Sequence, residues 1–260
     1  SMRMQAITDR TPSAAGAAIR GRIGEVFSRI SNNDNIWGVI FVGPLIIGLI
    51  VFTYGPVVYA GWLSLNEGDY IRTPVWVGLT NYARASQDEL VGKALGNTAY
   101  YVLGTVPAGI VLSLLLAVAM NQNLRGIVFY RAIFFLPTIT SAVAISLMWA
   151  WMYNPQFGVI NTLLKFIGVK GPKWLASPHW AMPAIMIMSV WRGLGYNMLL
   201  FLAGLQGIPK ELHEAAEIDG ANAVQRFLFV TLPLLSPTTF MLIVLSIIGG
   251  FQVFEYSYVM

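Results

Sequence analysis

The residues whose types could support chemistry are sparse, and one polar segment, 206–236, holds the densest group of them. Four acidic residues occur there at close spacing: Glu211, Glu214, Glu217 and Asp219. The two histidines are far apart, cysteine is absent, and neither an HExxH pattern nor a Gly-rich phosphate loop occurs. Within the long apolar stretches of the chain there is no nucleophile–base pair and no pair of carboxylates for catalysis. We therefore predict no catalytic residue, no metal ligand and no cofactor bound to this chain.

A second group of candidate residues lies within apolar stretches and could contact a polar ligand. Its members are Arg192, Gly193, Tyr196, Asn197, Gly249 and Gln252. An aromatic face with a few hydrogen-bonding groups, next to glycines that leave space, is what a sugar pocket needs. Arg192 is near the middle of its stretch, where a charge is costly and marks a candidate functional site. It could equally form an ion pair between helices, with Glu255 as a possible partner.

The composition indicates that these residues are embedded in a membrane protein. Of 260 residues, 56% are hydrophobic and only 11% are charged, whereas a soluble domain carries about 25% charged residues. The mean hydropathy of +0.64 agrees. Such a chain can neither cover a water-facing surface nor remain disordered. The net charge is +4, but the basic residues are scattered, which argues against a nucleic-acid partner and in favour of membrane lipid.

The elements that must position the candidate residues are apolar stretches long enough to cross a bilayer as helices. Five such spans are predicted, at residues 36–65, 98–120, 129–152, 181–205 and 238–259. The fold class is therefore an all-α membrane protein, a polytopic helical bundle. Because no polar tail follows the last apolar run, we expect a sixth span beyond residue 260. Residues 1–35 form a tail, either an interfacial amphipathic helix or a segment without regular structure.

The distribution of basic residues predicts the orientation in the membrane. The tail, the loop before the third span and the segment after the fourth span together hold nine Lys and Arg residues, against six on the other side. This bias places the N-terminus and the segment 206–236 in the cytoplasm. The outer segment 153–180 is too short to span the bilayer, and we expect it to contain a short interfacial helix that ends at Gly168.

The segment 206–236 is predicted to form two short helices joined by a turn. Pro209 suits a helix start, and Gly220 can end that helix in a left-handed conformation. A second helix is expected over residues 224–230, ending before Pro233. Judged on these features alone, the segment could be a solvated amphipathic loop or an element that docks another protein.

The motifs in and around this segment resemble those of a known family. Glu-Ala-Ala at 214–216, followed by Gly220 and by Thr-Leu-Pro at 231–233, resembles the EAA motif of ABC importer permeases. Other stretches resemble the sugar-uptake branch of that family, and they lie at 130–137, 157–161, 191–196 and 205–209. The resemblance covers residues 36–260. It implies the fold of a type I ABC importer permease, with residues 36–260 as the permease domain.

The resemblance also implies a function and a set of partners. The chain would form half of the path for a sugar or oligosaccharide, with a second permease subunit completing a heterodimer in a bacterial or archaeal cytoplasmic membrane. Two ABC ATPase subunits would hold ATP and Mg²⁺, and an extracytoplasmic binding protein would deliver the substrate. Glycerol 3-phosphate or another polyol phosphate is the alternative substrate, and a secondary transporter is the alternative from a different class.

Individual site residues follow from the same resemblance. Those implied to couple the chain to the ATPase are Glu214, Ala215, Ala216, Asp219 and Gly220. In this role Glu214 would pair with a basic group of the ATPase, the alanines would allow close approach, and Gly220 would make the turn. In the maltose permeases of this family, residues from the fourth and fifth spans line the sugar site. The match at Gly193 and Tyr196 needs no gap, whereas Gly249 and Gln252 match after a shift of one residue.

Overall fold

The computed structural model describes residues 34–68, 73–122, 125–253 and 259–260, apart from the side chains of residues 34–36. Residues 1–33 of the predicted tail lie outside the described residues. Glu255 lies outside them as well. The chain forms two compact units, one ending at Asp88 and one beginning at Glu89.

The first unit contains one membrane-length helical segment and a small polar motif. Helix α1 (Asp34–Leu49) continues through a π-helical turn (π1, Ile50–Tyr54) into α2 (Gly55–Ser64). Together they match the predicted first span, with a membrane-length stretch over Trp37–Ser64. The wider turn precedes Pro56, which lacks an N–H and would crowd the carbonyl of a regular turn.

The polar motif of the first unit follows this span. Strands β1 (Asn66–Glu67) and β2 (Val75–Trp76) pair in antiparallel fashion, and helix α3 (Thr80–Gln87) follows them. The Arg84 guanidinium donates to the Glu67 carboxylate at 2.6 Å. This hydrogen bond, together with the positive charge, holds the pKa of the Glu67 carboxyl below its usual value.

The second unit is built on two long helices that pack along each other. These are α4 (Glu89–Met120, 32 residues) and α8 (Ala181–Gln206, 26 residues), and α12 (Ser236–Phe251) packs against both. Their shared core includes the fully buried side chains of Met198, Phe201 and Leu242. The predicted fourth span agrees with α8 to one residue. Helix α4 begins nine residues before the predicted second span. These additional residues include polar ones, so they do not count as an apolar stretch, but they are helical.

The predicted third span is not one straight helix. It divides into α5 (Ile127–Ile139) and α6 (Ala142–Met152), which meet at an angle of 99°. Thr140 and Ser141 between them have extended backbone, with ψ values of 144° and 134°. At about 1.5 Å per residue, α6 is only about 16 Å long. Neither helix can cross a 30 Å core by itself.

The chain between α8 and α12 contains short helices. These are α9 (Lys210–Ile218), α10 (Ala223–Arg226), a second π-helical turn (π2, Phe227–Thr231) and α11 (Leu232–Leu234). The predicted end of the second short helix before Pro233 is wrong. The backbone widens into π2 and carries Pro233 inside a continuing helix, as π1 does ahead of Pro56.

A bend in the chain lies just before the predicted fifth span. The stretch Ala223–Leu234 and helix α12 meet at 63°. Helix α12 ends at Phe251, eight residues before the predicted end of the span, and residues 254–258 lie outside the described part of the chain. Within the described residues there are three helical stretches of spanning length, or five spans if each bent pair counts as one.

The segment predicted to lie on the outer side, between α6 and α8, contains helix α7 (Val159–Phe166). Gly168 follows it, so the predicted end of this short helix at Gly168 is confirmed, and the φ of this glycine is +79°, in the left-handed region. The N–H groups of Gly168 and Val169 close the end on the carbonyls of Lys165 and Leu164, at 3.1 and 2.9 Å. This pair of bonds is a Schellman motif.

Candidate functional site

A cavity of about 350 Å³ lies between helices α4, α8 and α12, and we name it the α4–α8–α12 cavity. Five of the six predicted substrate-path residues line it: Arg192, Gly193, Tyr196, Asn197 and Gly249. Helical spacing explains the grouping on α8, because residues three and four apart share one face. The fold therefore brings together side chains from two predicted spans and adds a third wall from α4.

The lining has a polar character that sequence reasoning captured only in part. Four hydroxyl-bearing residues that were not predicted also line the cavity: Tyr101, Thr105, Ser189 and Ser246. Ser189 Oγ is buried and has no hydrogen-bond partner among the described residues. Thr105 Oγ1 donates to the carbonyl of Tyr101 at 2.8 Å. Ser189 and Ser246 each lie three residues before a predicted member of the lining, so helical spacing was the signal that could have found them.

Arg192 contributes the positive charge of the cavity wall. Its backbone carbonyl accepts a hydrogen bond from Thr138 Oγ1 of α5 at 3.2 Å, which ties this turn of α8 to the neighbouring helix. Tyr196, one turn further along α8, is exposed and offers an aromatic face to the cavity. A cation, an aromatic ring and several hydroxyl groups can together bind a polar, uncharged or weakly anionic ligand.

Gln252 is the predicted residue that does not line the cavity. It follows the last residue of α12, and its backbone N–H donates to the carbonyl of Gly249 at 3.2 Å, which closes the helix end. The next residue, Val253, lines the cavity in its place. The role of Gln252 in the substrate path stays a prediction without support from this geometry.

The glycines around the cavity fall into two kinds. A Cβ atom added to Gly193 or to Gly249 would meet nothing within 4 Å, so these residues leave space in the wall. A Cβ added to Gly195 would lie 2.0 Å from the carbonyl oxygen of Phe134 in α5, so Gly195 permits close helix packing. Gly250 has the same function against Val102 of α4, at 2.7 Å.

The predicted coupling segment forms a rigid turn at the end of α9. Gly220 has a φ of +83°, as predicted for a left-handed helix end. Its N–H donates to the Glu217 carbonyl at 3.0 Å, and the Ala221 N–H donates to the Ala216 carbonyl at 2.9 Å. These bonds form a Schellman motif. A capping box between Asn222 and Gln225 then starts α10, so the whole turn is held by specific hydrogen bonds.

Helix α9 has one face against the protein and one face open. His213 and Ala216 are half-buried, whereas Glu214, Ala215 and Asp219 are exposed. Ile218 is 86% exposed, an unusual position for a large aliphatic side chain. The open face thus combines two acidic groups, a small residue and one exposed aliphatic side chain, that of Ile218.

Contacts between α9 and α10 hold the half-buried face in place. Arg226 Nη1 donates to the Glu217 carboxylate in an ion pair that joins the two helices. A cavity of about 320 Å³ lies beside this pair and is lined by His213, Arg226 and Thr231, among others. Among the described residues no group of three or more His, Asp and Glu side chains could hold a metal ion.

A known protein family matches more than half of the chain. The model of the family described as binding-protein-dependent transport system inner membrane component matches residues 109–254. That range contains the α8 and α12 walls of the cavity and the whole coupling segment.

Named relatives cover most of the chain. The probable ABC transporter permease YesP of Bacillus subtilis is 39% identical over 235 residues, which are 89% of this chain and 75% of that protein. The arabinooligosaccharide transport permease AraP of Halalkalibacterium halodurans is 36% identical, with coverages of 88% and 72%. The trehalose/maltose transport permease MalF of Thermococcus litoralis is 34% identical, with coverages of 90% and 79%.

Solved structures agree with the fold. A chain from the crystal structure of a bacterial ABC transporter that imports the acidic polysaccharide alginate superposes with a TM-score of 0.74 at 24% identity, covering 90% of this chain and 80% of that one. A second structure of a bacterial alginate transporter, in complex with an alginate-bound periplasmic protein, gives 0.71 at 25% identity, with coverages of 87% and 77%. The predicted all-α, polytopic fold of the type I importer permeases is confirmed. The chain belongs to the family of binding-protein-dependent transport system inner membrane components, and it is a multi-pass membrane permease of an ABC importer.

Proposed function

We propose that the chain forms half of the translocation path for a sugar or an oligosaccharide, and that the α4–α8–α12 cavity is part of that path. The observation that carries the proposal is the lining of this cavity, in which Tyr196, Asn197 and Arg192 lie among several hydroxyl-bearing side chains. Sugars are recognised by aromatic faces combined with hydrogen-bonding groups. The volume is at the lower end of the about 300–1,000 Å³ of small-molecule sites, which suits part of an oligosaccharide at a time.

The names of the relatives support a sugar over a polyol phosphate. Arabinooligosaccharides, trehalose or maltose, and lactose are the substrates given for four of the related permeases. The cavity holds one basic residue, Arg192, among several neutral hydrogen-bonding groups. A neutral substrate can use these groups without a dedicated cluster of cations, whereas a phosphate is usually bound by several charged or N–H donors.

The partners follow from the same proposal. A second, different permease subunit completes the path, two ABC ATPase subunits bind ATP and Mg²⁺, and an extracytoplasmic binding protein delivers the substrate. The complex of the related alginate transporter with a substrate-bound periplasmic protein supports the last of these. The chain itself carries no cofactor in this proposal.

The coupling segment transmits the movement of the ATPase. The open face of α9 enters a cleft of the ATPase, where Glu214 pairs with a basic group, Ala215 allows close approach and Ile218 fills an apolar pocket. The turn at Gly220 keeps α9 and α10 in one orientation, so they move as a rigid body. The movement then reaches the α4–α8–α12 cavity through π2 and α12. The start of α12 packs closely on α8, because a Cβ added to Gly204 would lie 2.9 Å from Leu235 and Thr238 atoms.

The experiment compares coupled ATP hydrolysis in the assembled transporter, reconstituted with its ATPase and binding protein. We expect Glu214→Lys and Gly220→Asp to abolish most of the hydrolysis that sugar-loaded binding protein stimulates, while membrane insertion stays normal. Glu214→Lys reverses the charge at the docking face, and Gly220→Asp strains a φ of +83°. Gly168→Asp is the matched control, because it places the same side chain at a φ of +79° in the other Schellman turn.

Full stimulation in both coupling variants would contradict the docking role of α9. Stimulation by a polyol phosphate and by no sugar would instead contradict the proposed substrate class. Loss of stimulation in the Gly168→Asp control as well would mean that general strain, and not the coupling segment, limits the activity.

A further inference from the structure

Helix α7 is amphipathic, and the protein covers only part of its broad apolar side. On the inner face, Ile160 and Leu164 pack against a buried cluster that contains Tyr153 and Trp174. On the outer face, three apolar residues at helical spacing are largely exposed, and they are Leu163 at 60%, Phe166 at 84% and Ile167 at 73%. A short amphipathic helix whose apolar side extends beyond its contact with the protein needs a second apolar environment for the uncovered part.

The orientation of α7 is fixed by a polar network. Asn161 Oδ1 accepts from Trp174 Nε1 at 2.7 Å, and Asn161 Nδ2 donates to the carbonyl of Pro172 at 3.2 Å. A Cβ added to Gly171 would overlap the Asn161 side chain, so the returning chain passes directly over it. These contacts hold the inner face inward, and the exposure of Phe166 is therefore a property of the fold.

The position of α7 in the chain places it at a membrane surface. It lies between α6, which ends at Met152, and α8, which begins at Ala181 and has spanning length. With only six residues between Met152 and Val159, α7 cannot move far from the end of α6. Because Ile160 and Leu164 pack near Ala184 at the start of α8, the outer face of α7 is within reach of the lipid headgroups at that end of a spanning α8.

The charges of this segment complement a phospholipid surface. Residues 153–180 contain three lysines and no acidic residue. Lys165 lies on α7 beside the exposed apolar residues, and Lys170 follows the turn at Gly168; both are exposed. Long lysine side chains can reach phosphate groups while neighbouring apolar side chains enter the acyl boundary.

We propose that α7 is a membrane-surface anchor that lies flat in the outer interface of the bilayer. In this arrangement Leu163, Phe166 and Ile167 insert into the acyl boundary, and Lys165 and Lys170 bind lipid phosphates. The partner of this surface is the lipid bilayer, and the proposal does not depend on which substrate the transporter carries.

The anchor bears on the cavity through the buried aromatic cluster. Tyr153 Oη donates to the carbonyl of Ala184 in α8 at 2.9 Å. Trp149 of α6 contacts Trp191 of α8, with ring centroids 5.4 Å apart, and Trp191 is next to Arg192. An anchored α7 therefore holds the first half of α8 at a constant depth while α9 moves at the other end.

The test uses the absence of cysteine from the chain. Phe166→Cys carries a nitroxide label in the assembled transporter in lipid nanodiscs that contain anionic lipid, and Ile167→Cys serves as a second position. We measure how often the label collides with oxygen, which concentrates in lipid, and with a water-soluble nickel chelate. The control is Gln156→Cys, an exposed position in the preceding loop.

An anchor predicts more oxygen collisions and fewer nickel collisions at both test positions than at the Gln156 control. Frequent nickel collisions that decrease only when the binding protein is added would show that α7 docks that protein, and would overturn the proposal. Rare collisions with both reagents would show that a second permease subunit covers the face, and would also overturn it. Retained substrate-stimulated ATP hydrolysis shows that each labelled protein is folded.

Discussion

At the scale of single residues, Gly193 and Gly195 differ although only one residue separates them. From the sequence alone, either glycine could leave space beside Tyr196. The structure separates their functions, because Gly193 faces the α4–α8–α12 cavity and Gly195 faces the backbone of α5. Sequence spacing could not distinguish them, since the distinction depends on where α5 crosses α8.

This difference leads to a prediction about stability. Gly195→Ala should destabilise the purified protein by about 1–3 kcal/mol, the usual cost of overpacking, because its Cβ would collide with the Phe134 carbonyl, an atom of the backbone. Gly193→Ala should leave the thermal midpoint unchanged or slightly raised, because alanine is a better helix former than glycine by about 1 kcal/mol. Thermal unfolding of both variants in the same detergent measures the effect. Equal midpoints would contradict the assigned packing.

Most of the cavity lining on α8 could be predicted from the sequence. The period of 3.6 residues places Arg192, Gly193, Tyr196 and Asn197 on neighbouring positions, and these are the residues found together. Gln252 does not line the cavity although Gly249, three residues before it, does, so spacing alone does not place it. Thr105 of α4 was missed, since no pattern in its own helix distinguishes it from residues that only pack.

At the scale of elements, a proline does not always end a helix in this protein, although sequence rules predict that it does. A proline inside a helix removes one hydrogen bond and crowds the preceding turn. The chain absorbs this cost twice with a five-residue π turn, at Ile50–Tyr54 and at Phe227–Thr231. A rule based on a single sequence ends the helix at Pro233, because it cannot detect the wider turn that tertiary packing makes possible.

The ion pair between α9 and α10 allows a prediction at this scale. Glu217→Gln and Arg226→Gln should each reduce substrate-stimulated ATP hydrolysis, because they loosen α9 on its half-buried face. An exposed pair is worth at most about 1 kcal/mol, so the loss should not exceed about fivefold. Exchanging the two residues, as Glu217→Arg with Arg226→Glu, should restore most of the activity. Stimulated hydrolysis in proteoliposomes is the measurement.

The matched control for this prediction is the Glu67–Arg84 pair, which is also exposed and belongs to the first unit. Neutralising Glu67 or Arg84 should leave coupling unchanged. A double exchange at 217 and 226 that is as impaired as the single variants would argue against an electrostatic link and in favour of side-chain packing.

At the scale of the whole molecule, hydropathy predicted how many apolar stretches there are but not their geometry. The third span bends by 99°, and the chain bends by 63° where α12 begins, just before the predicted fifth span. A window of apolar residues cannot detect such bends, because Thr140 and Ser141 change the direction of the chain without making it polar. The long helices α4 and α8 were the easiest to predict, since each is apolar and helical without a break across the bilayer core.

Membrane sidedness is the property of the whole molecule on which the proposed coupling depends. Helix α8 has 26 residues, and at about 1.5 Å per residue it is about 39 Å long, more than the hydrocarbon core. Lys170 precedes it and Glu211 follows it, so they must lie on opposite sides of the membrane. In the cysteine-free chain, Lys170→Cys should react with a membrane-impermeant maleimide in right-side-out vesicles, and Glu211→Cys only in inverted vesicles. Reaction of both on one side would mean that α8 does not cross. The reversed pattern would place α9 outside the cell, where no ATPase could bind it.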